Sequence, residues 1–420
     1  MDGWIKLYRK ITENPLYFSE AFTRLQAWID LLIIANNEEN YMAPASARRM
    51  AQDLALLPIW YAQPGSAVLA PSAYNADYLQ IMKRMFPLSV QLVTEPELPD
   101  YAESQIIPWG WNLAFRKRML KGGIAKHKLP TLEELKRLRA FSSRELAMVV
   151  LDGLHGIENC CGLANYLNDI PACQEFVEKY KRTVLKAPWS SSGKGLNWCR
   201  GTFTDSIAGW CQHVLDEQEG VIGQPVYNKV EDFALEFYSD GRGRVLFTGY
   251  SLFLTNEKGA YLGNLLVTPE WVENWITEYV PLVTLVQVRE RLQELLTVVF
   301  GESCTGYLGV DMMVCRDEET QSYRIHPCVE INVRMNMGVV AHLFRENFVA
   351  PGIVGNFKID YYPTNDALQE EHKQAMEQYP VVIENGRLVS GYLPLVPVTP
   401  KSRYRAYVLC YKSRVDDAND

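Results

Sequence analysis

Two neighbouring apolar stretches constrain this chain more than anything else in it. Tyr307-Leu308-Gly309-Val310-Asp311-Met312-Met313-Val314 reads as a strand with a single acid in an otherwise apolar run. The next acids, Asp317, Glu318 and Glu319, fall in the turn beyond it. A second strand follows, Tyr323 to Arg334, YRIHPCVEINVR. Side chains alternate along a strand, so Glu330, Asn332 and Arg334 project from one face. An acid at the centre of an apolar strand is costly unless paired, and two such acids facing each other repel. A divalent metal relieves both. Mg²⁺ prefers oxygen ligands and takes one or two carboxylates together with phosphate oxygens. Asp311, Glu330 and Asn332 supply oxygens, and Arg334 offers a fork for a phosphate or carboxylate. The plainer reading is a structural Glu–Arg pair with Asn332 opening a turn.

Upstream, KRTVLKAPWSSSGKGL (Lys181 to Leu196) reads as a short strand, Thr183 to Ala187, with Lys186 near its end. A loop of small residues follows: Ser190, Ser191, Ser192, Gly193, Lys194 and Gly195. Small residues let backbone N–H groups approach phosphate oxygens, and the lysines add charge. The loop is not a Walker A motif, because Pro188 and Gly195 stand where a glycine and a hydroxyl residue are needed.

A strand lysine, a Ser/Gly loop, a hinge strand, then Asp in one strand and Glu-x-Asn-x-Arg in the next resemble the ATP-grasp superfamily over about residues 140–345. The resemblance implies an α/β chain, α+β within the grasp domain: a Rossmann-like preceding domain, a two-lobed grasp fold and a small β-rich C-terminal cap. It implies boundaries of 1–40 for an atypical N-terminal segment, 41–140 for the preceding domain, 141–345 for the grasp domain and 346–420 for the cap. By resemblance, Lys186 sits on the α/β-phosphates, and Ser190 to Gly195 form the flap over the β/γ-phosphates. Gln224, Pro225, Val226 and Tyr227 look like the adenine hinge, and Asp232 falls where a polar ribose or phosphate partner is placed. Asp311, Glu330 and Asn332 look like the Mg²⁺ ligands (Mn²⁺ is a substitute), and Arg334 like the arginine that steadies the transferred phosphoryl group. Two positions depart from the pattern: Gln224 replaces an acid, and Arg144 stands where a lysine is usual, keeping the charge without the point geometry. The implied activity is ATP-dependent ligation. A small-molecule or peptide carboxylate is activated as an acylphosphate and attacked by an amine or thiol. A nucleotide-binding regulatory protein that has lost ligation is the alternative.

The remainder sets limits. Net charge of −8 argues against a general nucleic-acid or membrane-surface binder. Nine cysteines with no Cys-x-x-Cys suit reduced thiols rather than a zinc cluster. The start, MDGWIKLYRK, lacks the apolar core of a signal peptide, so a cytoplasmic protein is expected. The first 36 residues read as a strand and two helices, with Leu25, Trp28, Ile29, Leu32 and Ile33 at helical spacing. They resemble the opening of winged-helix replication-initiation proteins, with Lys6, Arg9, Lys10 and Arg24 as possible phosphate contacts in a DNA-associated reading. Residues 41 to about 175 alternate helix and strand, which predicts a parallel sheet with crossover helices. In that stretch Ala45 to Leu57 reads as a helix, and Ile59 to Ala62 and Ala67 to Ala70 as short strands.

Overall fold

The structure is a computed structural model; it describes residues 24–27, 37–190, 195–256 and 261–412. Strand β1 (Arg24–Ala27) leads to helix α1 (Ala45–Asp53), β2 (Ala67–Leu69), α2 (Asn75–Met85), β3 (Gln91–Val93) and β4 (Gln105–Pro108). These four strands form a parallel sheet in the order β3-β2-β1-β4. Leu25 therefore lies in a fully buried strand, not in the helix its spacing predicts. The strand's four residues, Arg-Leu-Gln-Ala, are too short a run for their alternation to outweigh the helical spacing of the apolar residues that follow. Trp28, Ile29, Leu32 and Ile33 lie outside the described residues. The expected strand at Ile59–Ala62 is also absent: Leu57–Trp60 is a 3₁₀ turn with Pro58 at its start, where proline's fixed φ suits a helical first turn.

Three helices connect to the next unit: α3 (Leu113–Lys121), α4 (Leu132–Phe141) and α5 (Arg144–Asp152). Asn112 caps α3, Thr131 caps α4 through a reciprocal pair with Glu134, and Ser143 caps α5. A small antiparallel sheet follows, built from β5 (Asn165–Leu167), α6 (Ile170–Tyr180), β6 (Arg182–Lys186), β7 (Leu196–Arg200), α7 (Asp205–Gln218) and β8 (Val221–Pro225). Its order is β5-β8-β6-β7, with Lys186 opposite Leu196 and Ile222.

The largest sheet takes the rest of the chain: β9 (Lys229–Asp240), β10 (Val245–Thr255), β11 (Tyr261–Leu266), α8 (Pro269–Thr277), α9 (Leu282–Phe300), β12 (Thr305–Arg316), β13 (Tyr323–Asn332), α10 (Met337–Phe348), β14 (Ile353–Tyr361), α11 (Asn365–Gln378), β15 (Val382–Glu384), β16 (Arg387–Pro394) and β17 (Tyr404–Lys412). Nine strands run in the order β13-β12-β9-β10-β11-β14-β17-β16-β15. The C-terminal strands are thus joined to β9 and β10 through β11 and β14, where Asn264 faces Phe357. Helix α9 packs on β9 and β10, and its Leu285, Val288, Leu292 and Leu296 join one core cluster with residues of β9, β12 and β13. All nine cysteines are free. Among the described residues no helix is long and apolar enough to cross a membrane.

Candidate active site

Strands β9, β12 and β13 are neighbours, and their shared register brings the acids together. Asp311 lies opposite Glu330 on β13 and Ala234 on β9, and Asn332 lies opposite Gly309. The Asn332 amide donates to Asp311 Oδ2 at 3.1 Å, and Arg334 Nη2 donates to Asn332 Oδ1 at 2.6 Å. Arg334 Nη1 donates to the Met335 carbonyl at 3.2 Å, which fixes the guanidinium beside its own strand end.

A second group of residues closes on this face from the small sheet and from α5. Arg144, the first residue of α5, is buried, and its N–H donates to the Pro188 carbonyl at 3.1 Å. Its Nη1 donates to the Ala187 carbonyl and the Ser190 hydroxyl, both at 2.7 Å. Its Nη2 reaches the two Glu330 oxygens at 3.2 and 3.3 Å. Lys186 is buried at the end of β6, and the charges of Glu330 and Asp311 act on it.

The electrostatics follow from this crowding. Burial, then the repulsion of Glu330, pushes the Asp311 carboxyl up to about 7, against the pull of Arg334 and the Asn332 hydrogen bond. Burial also raises Glu330, but Arg144, Lys186 and Arg334 outweigh it and hold that carboxyl below its ordinary value. Burial and then Arg144 lower the Lys186 amine to about 8. Two opposed carboxyls of unequal acidity, with three cations around one of them, form a site shaped for a polyanion and its counter-cation.

The other expected residues lie at the end of β8 and on β9. Gln224 and Pro225 end β8, opposite Val184 and Thr183. The Val226 N–H donates to the Arg182 carbonyl at 2.8 Å. The Tyr227 ring meets the His326 ring edge-on at 5.3 Å. Asp232 is held by its own sheet, accepting from Lys229 Nζ and from Thr255 Oγ1 at 2.6 Å. Of the loop from Ser190 to Gly195, Ser190 and Gly195 are described; Ser191, Ser192, Gly193 and Lys194 lie outside the described residues. Gly195 takes φ +72° while its carbonyl accepts from Ala187 at 2.9 Å, a left-handed turn that suits glycine.

One functional-looking residue escaped the sequence reading. Glu236 of β9 is 1% exposed, and burial pushes its carboxyl up to about 8. Asn336 Nδ2 donates to it at 2.8 Å, and a Cβ added to Gly338 would stand 2.3 Å from its Oε1. The signal was present, since Glu236 is an acid in an apolar alternating strand like Asp311. A cavity of about 880 Å³ opens beside this face, lined among others by Gln26 of β1, Trp109 after β4, Ser190, Glu330, Asn332 and Arg334.

No family model matches the chain, and no curated protein matches it. Among solved structures, the biotin carboxylase–β,γ-ATP complex from Campylobacter jejuni is 12% identical, with 94% of this chain and 89% of that chain covered and a TM-score of 0.51. The fold is ATP-grasp. The biotin carboxylase domain of Hydrogenobacter thermophilus 2-oxoglutarate carboxylase is 11% identical over 94% of this chain and 87% of that one, TM-score 0.49. The N5-carboxyaminoimidazole synthetase of Staphylococcus aureus is 9% identical over 95% and 96%, TM-score 0.48. These neighbours give no support to the winged-helix resemblance of the first 36 residues. The one described piece of that segment, β1, is a central strand of the parallel sheet that precedes the ATP-grasp strands.

Proposed function

We propose that the chain is an ATP- and Mg²⁺-dependent ligase that activates a carboxylate for attack by an amine or thiol. The observation that carries this reading is the opposition of Asp311 and Glu330 across β12 and β13 under Arg144, Lys186 and Arg334. The donor set fits the metal. Among the described residues no group of three or more His, Cys, Asp or Glu is placed to hold an ion. Two carboxylates and the Asn332 amide nevertheless match a Mg²⁺ that keeps phosphate and water ligands. When bound there, the metal would neutralise phosphate charge and assist phosphoryl transfer.

The chain's own residues do the remaining work. Lys186, fixed by the ladder of β6, holds phosphate oxygens as a point charge, and Arg334 steadies the transferring group with a planar fork. Ser190 to Gly195 cover the phosphates. The end of β8 from Gln224 to Tyr227 borders the base. The cavity beside Glu330 receives the carboxylate and its nucleophile next to the phosphates, and holding them together supplies much of the acceleration. The fold neighbour solved with β,γ-ATP supports a nucleotide site of this kind. Glu330→Gln is expected to abolish carboxylate-dependent ADP release; unchanged turnover in that variant would sink the proposal.

A second reading, nucleotide binding without ligation, is favoured by one contact. Arg144 already occupies both oxygens of Glu330, an intended metal ligand. Tight MgATP binding with no ADP formed against a broad panel of acids and amines would select it.

A further inference from the structure

His326 is 0% exposed, and neither of its ring nitrogens has a hydrogen-bond partner from another residue among the described ones. A buried ring that keeps an unused N–H and an unused lone pair costs stability unless something pairs with it. Its surroundings are specific. On β13 it lies opposite Met313 of β12, and Met313 in turn lies opposite Asp232 of β9. The Tyr227 ring meets it edge-on at 5.3 Å, and the charge of Lys186 acts on it. Gly162 lies against it, so that a Cβ there would stand 3.1 Å from Nε2. The segment carrying Gly162 runs along β13, with Ile325 donating to the Asn159 carbonyl at 2.9 Å and Cys161 donating to the Ile325 carbonyl at 2.8 Å. The ring is therefore surrounded by the segment carrying Gly162, by Tyr227 just beyond β8 and by the strands of the acid pair, with the Lys186 charge near enough to act on it. Burial and Lys186 keep the imidazole neutral, so one nitrogen donates and the other accepts. A thioether and a tyrosine ring around one such polar group make a fit for a flat heterocycle.

We propose that His326 hydrogen-bonds the purine base of the nucleotide from β13, facing the hinge at Gln224 to Tyr227. This rests on the nucleotide reading above and assigns the base contact within it to a side chain. It also accounts for the lack of an acid at Gln224, because the base gains a polar partner from the opposite sheet.

The test compares Kd values for MgATP and for Mg-tripolyphosphate, which carries the phosphates without a base. In H326L the expected result is about a tenfold weaker MgATP Kd, the loss of one hydrogen bond. Mg-tripolyphosphate binding should be unchanged, and the ligand-free thermal midpoint equal or higher, since an apolar side chain replaces unsatisfied nitrogens. H326Q, which keeps a donor and an acceptor, should stay within about threefold of the wild type for MgATP. Equal Kd values for H326L and wild type, or equal weakening of both ligands, would overturn the assignment. A wild type that binds neither ligand would remove the nucleotide reading and this inference with it. Should H326L not fold, ring-nitrogen NMR of wild-type His326 decides: a shift with MgATP and none with Mg-tripolyphosphate is expected, and equal shifts or none overturn it.

Discussion

The two faces of the same three strands behave as opposite materials. On one, Phe233, Leu235, Phe237, Val310 and Met312 are at most 1% exposed and pack with Leu285, Val288, Leu292 and Leu296 of α9. One residue along, the strands turn Glu236, Asp311 and Glu330 to the other side, where carboxyls crowd against Lys186, Arg144 and Arg334. The dry face explains how the charged face exists. Like charges placed side by side separate if they can, but strands clamped by close-packed helices cannot move apart. Burial, and behind it the repulsion of a neighbouring carboxyl, raises the proton affinities of Glu236 and Asp311, a cost that a cation would relieve.

That contrast can be broken most sharply from the charged side. Glu330→Gln should lower carboxylate-dependent ADP release by a factor of about 100 or more, since Mg²⁺ coordination and the Arg144 pairing both change, while circular dichroism stays native. A drop in activity accompanied by global unfolding would show that the two faces are not separable. From the dry side, Leu235→Ala should cost about 2–5 kcal/mol in denaturant unfolding, with the MgATP Kd of the folded fraction unchanged. Lys186→Met should weaken MgATP binding about ten- to a hundredfold, the usual range for hydrogen bonds to charged groups, with little change in the unfolding midpoint.

The smallest expected effect is a pH slope. Glu236 and Asp311 bind protons more tightly in the folded chain, near 8 and 7, than their ordinary values of 4.5 and 3.8. Between those values the folded state holds more protons than the unfolded one, so the stability of the ligand-free protein falls as pH rises from about 5 to 8. Lys186 acts with the opposite sign higher up. Its folded value near 8 lies below the ordinary 10.5, so its share of stability returns as pH rises above about 8. Glu236→Gln should flatten the pH 5 to 8 slope in thermal melts. An unchanged slope would mean that Glu236 does not hold a proton more tightly in the folded chain than in the unfolded one.

Much of this was legible from residue spacing. Asp311 and the Glu330, Asn332, Arg334 series stood out because charges inside apolar period-two runs have few structural excuses. The strand at Thr183 to Ala187 was equally plain, and the structure has β6 at Arg182–Lys186. The failures have physical causes. Arg24–Ala27, Arg-Leu-Gln-Ala, is only four residues long, too short for its polar–apolar alternation to stand out against the helical spacing of the apolar residues that follow. Glu236 does not stand out because one acid in a well-alternating strand looks like an ordinary solvent-facing residue; only Asn336 and Gly338 at the start of α10, about 100 residues on, show that this face is covered. The joining of the C-terminal strands to the main sheet depends on β11 meeting β14, a pairing between distant segments that no local pattern encodes.

The proposal that Asp311 and Glu330 together hold a metal–nucleotide complex is tested most directly by titration calorimetry on wild type and Asp311→Asn. With ATP and Mg²⁺ the wild type should bind at micromolar Kd and lose binding when the metal is chelated. Asp311→Asn should be as stable as the wild type without ligand, because it removes a buried carboxyl that Glu330 also repels, yet bind MgATP at least tenfold more weakly. Equal MgATP binding by the two proteins, or binding indifferent to Mg²⁺, would contradict the assignment.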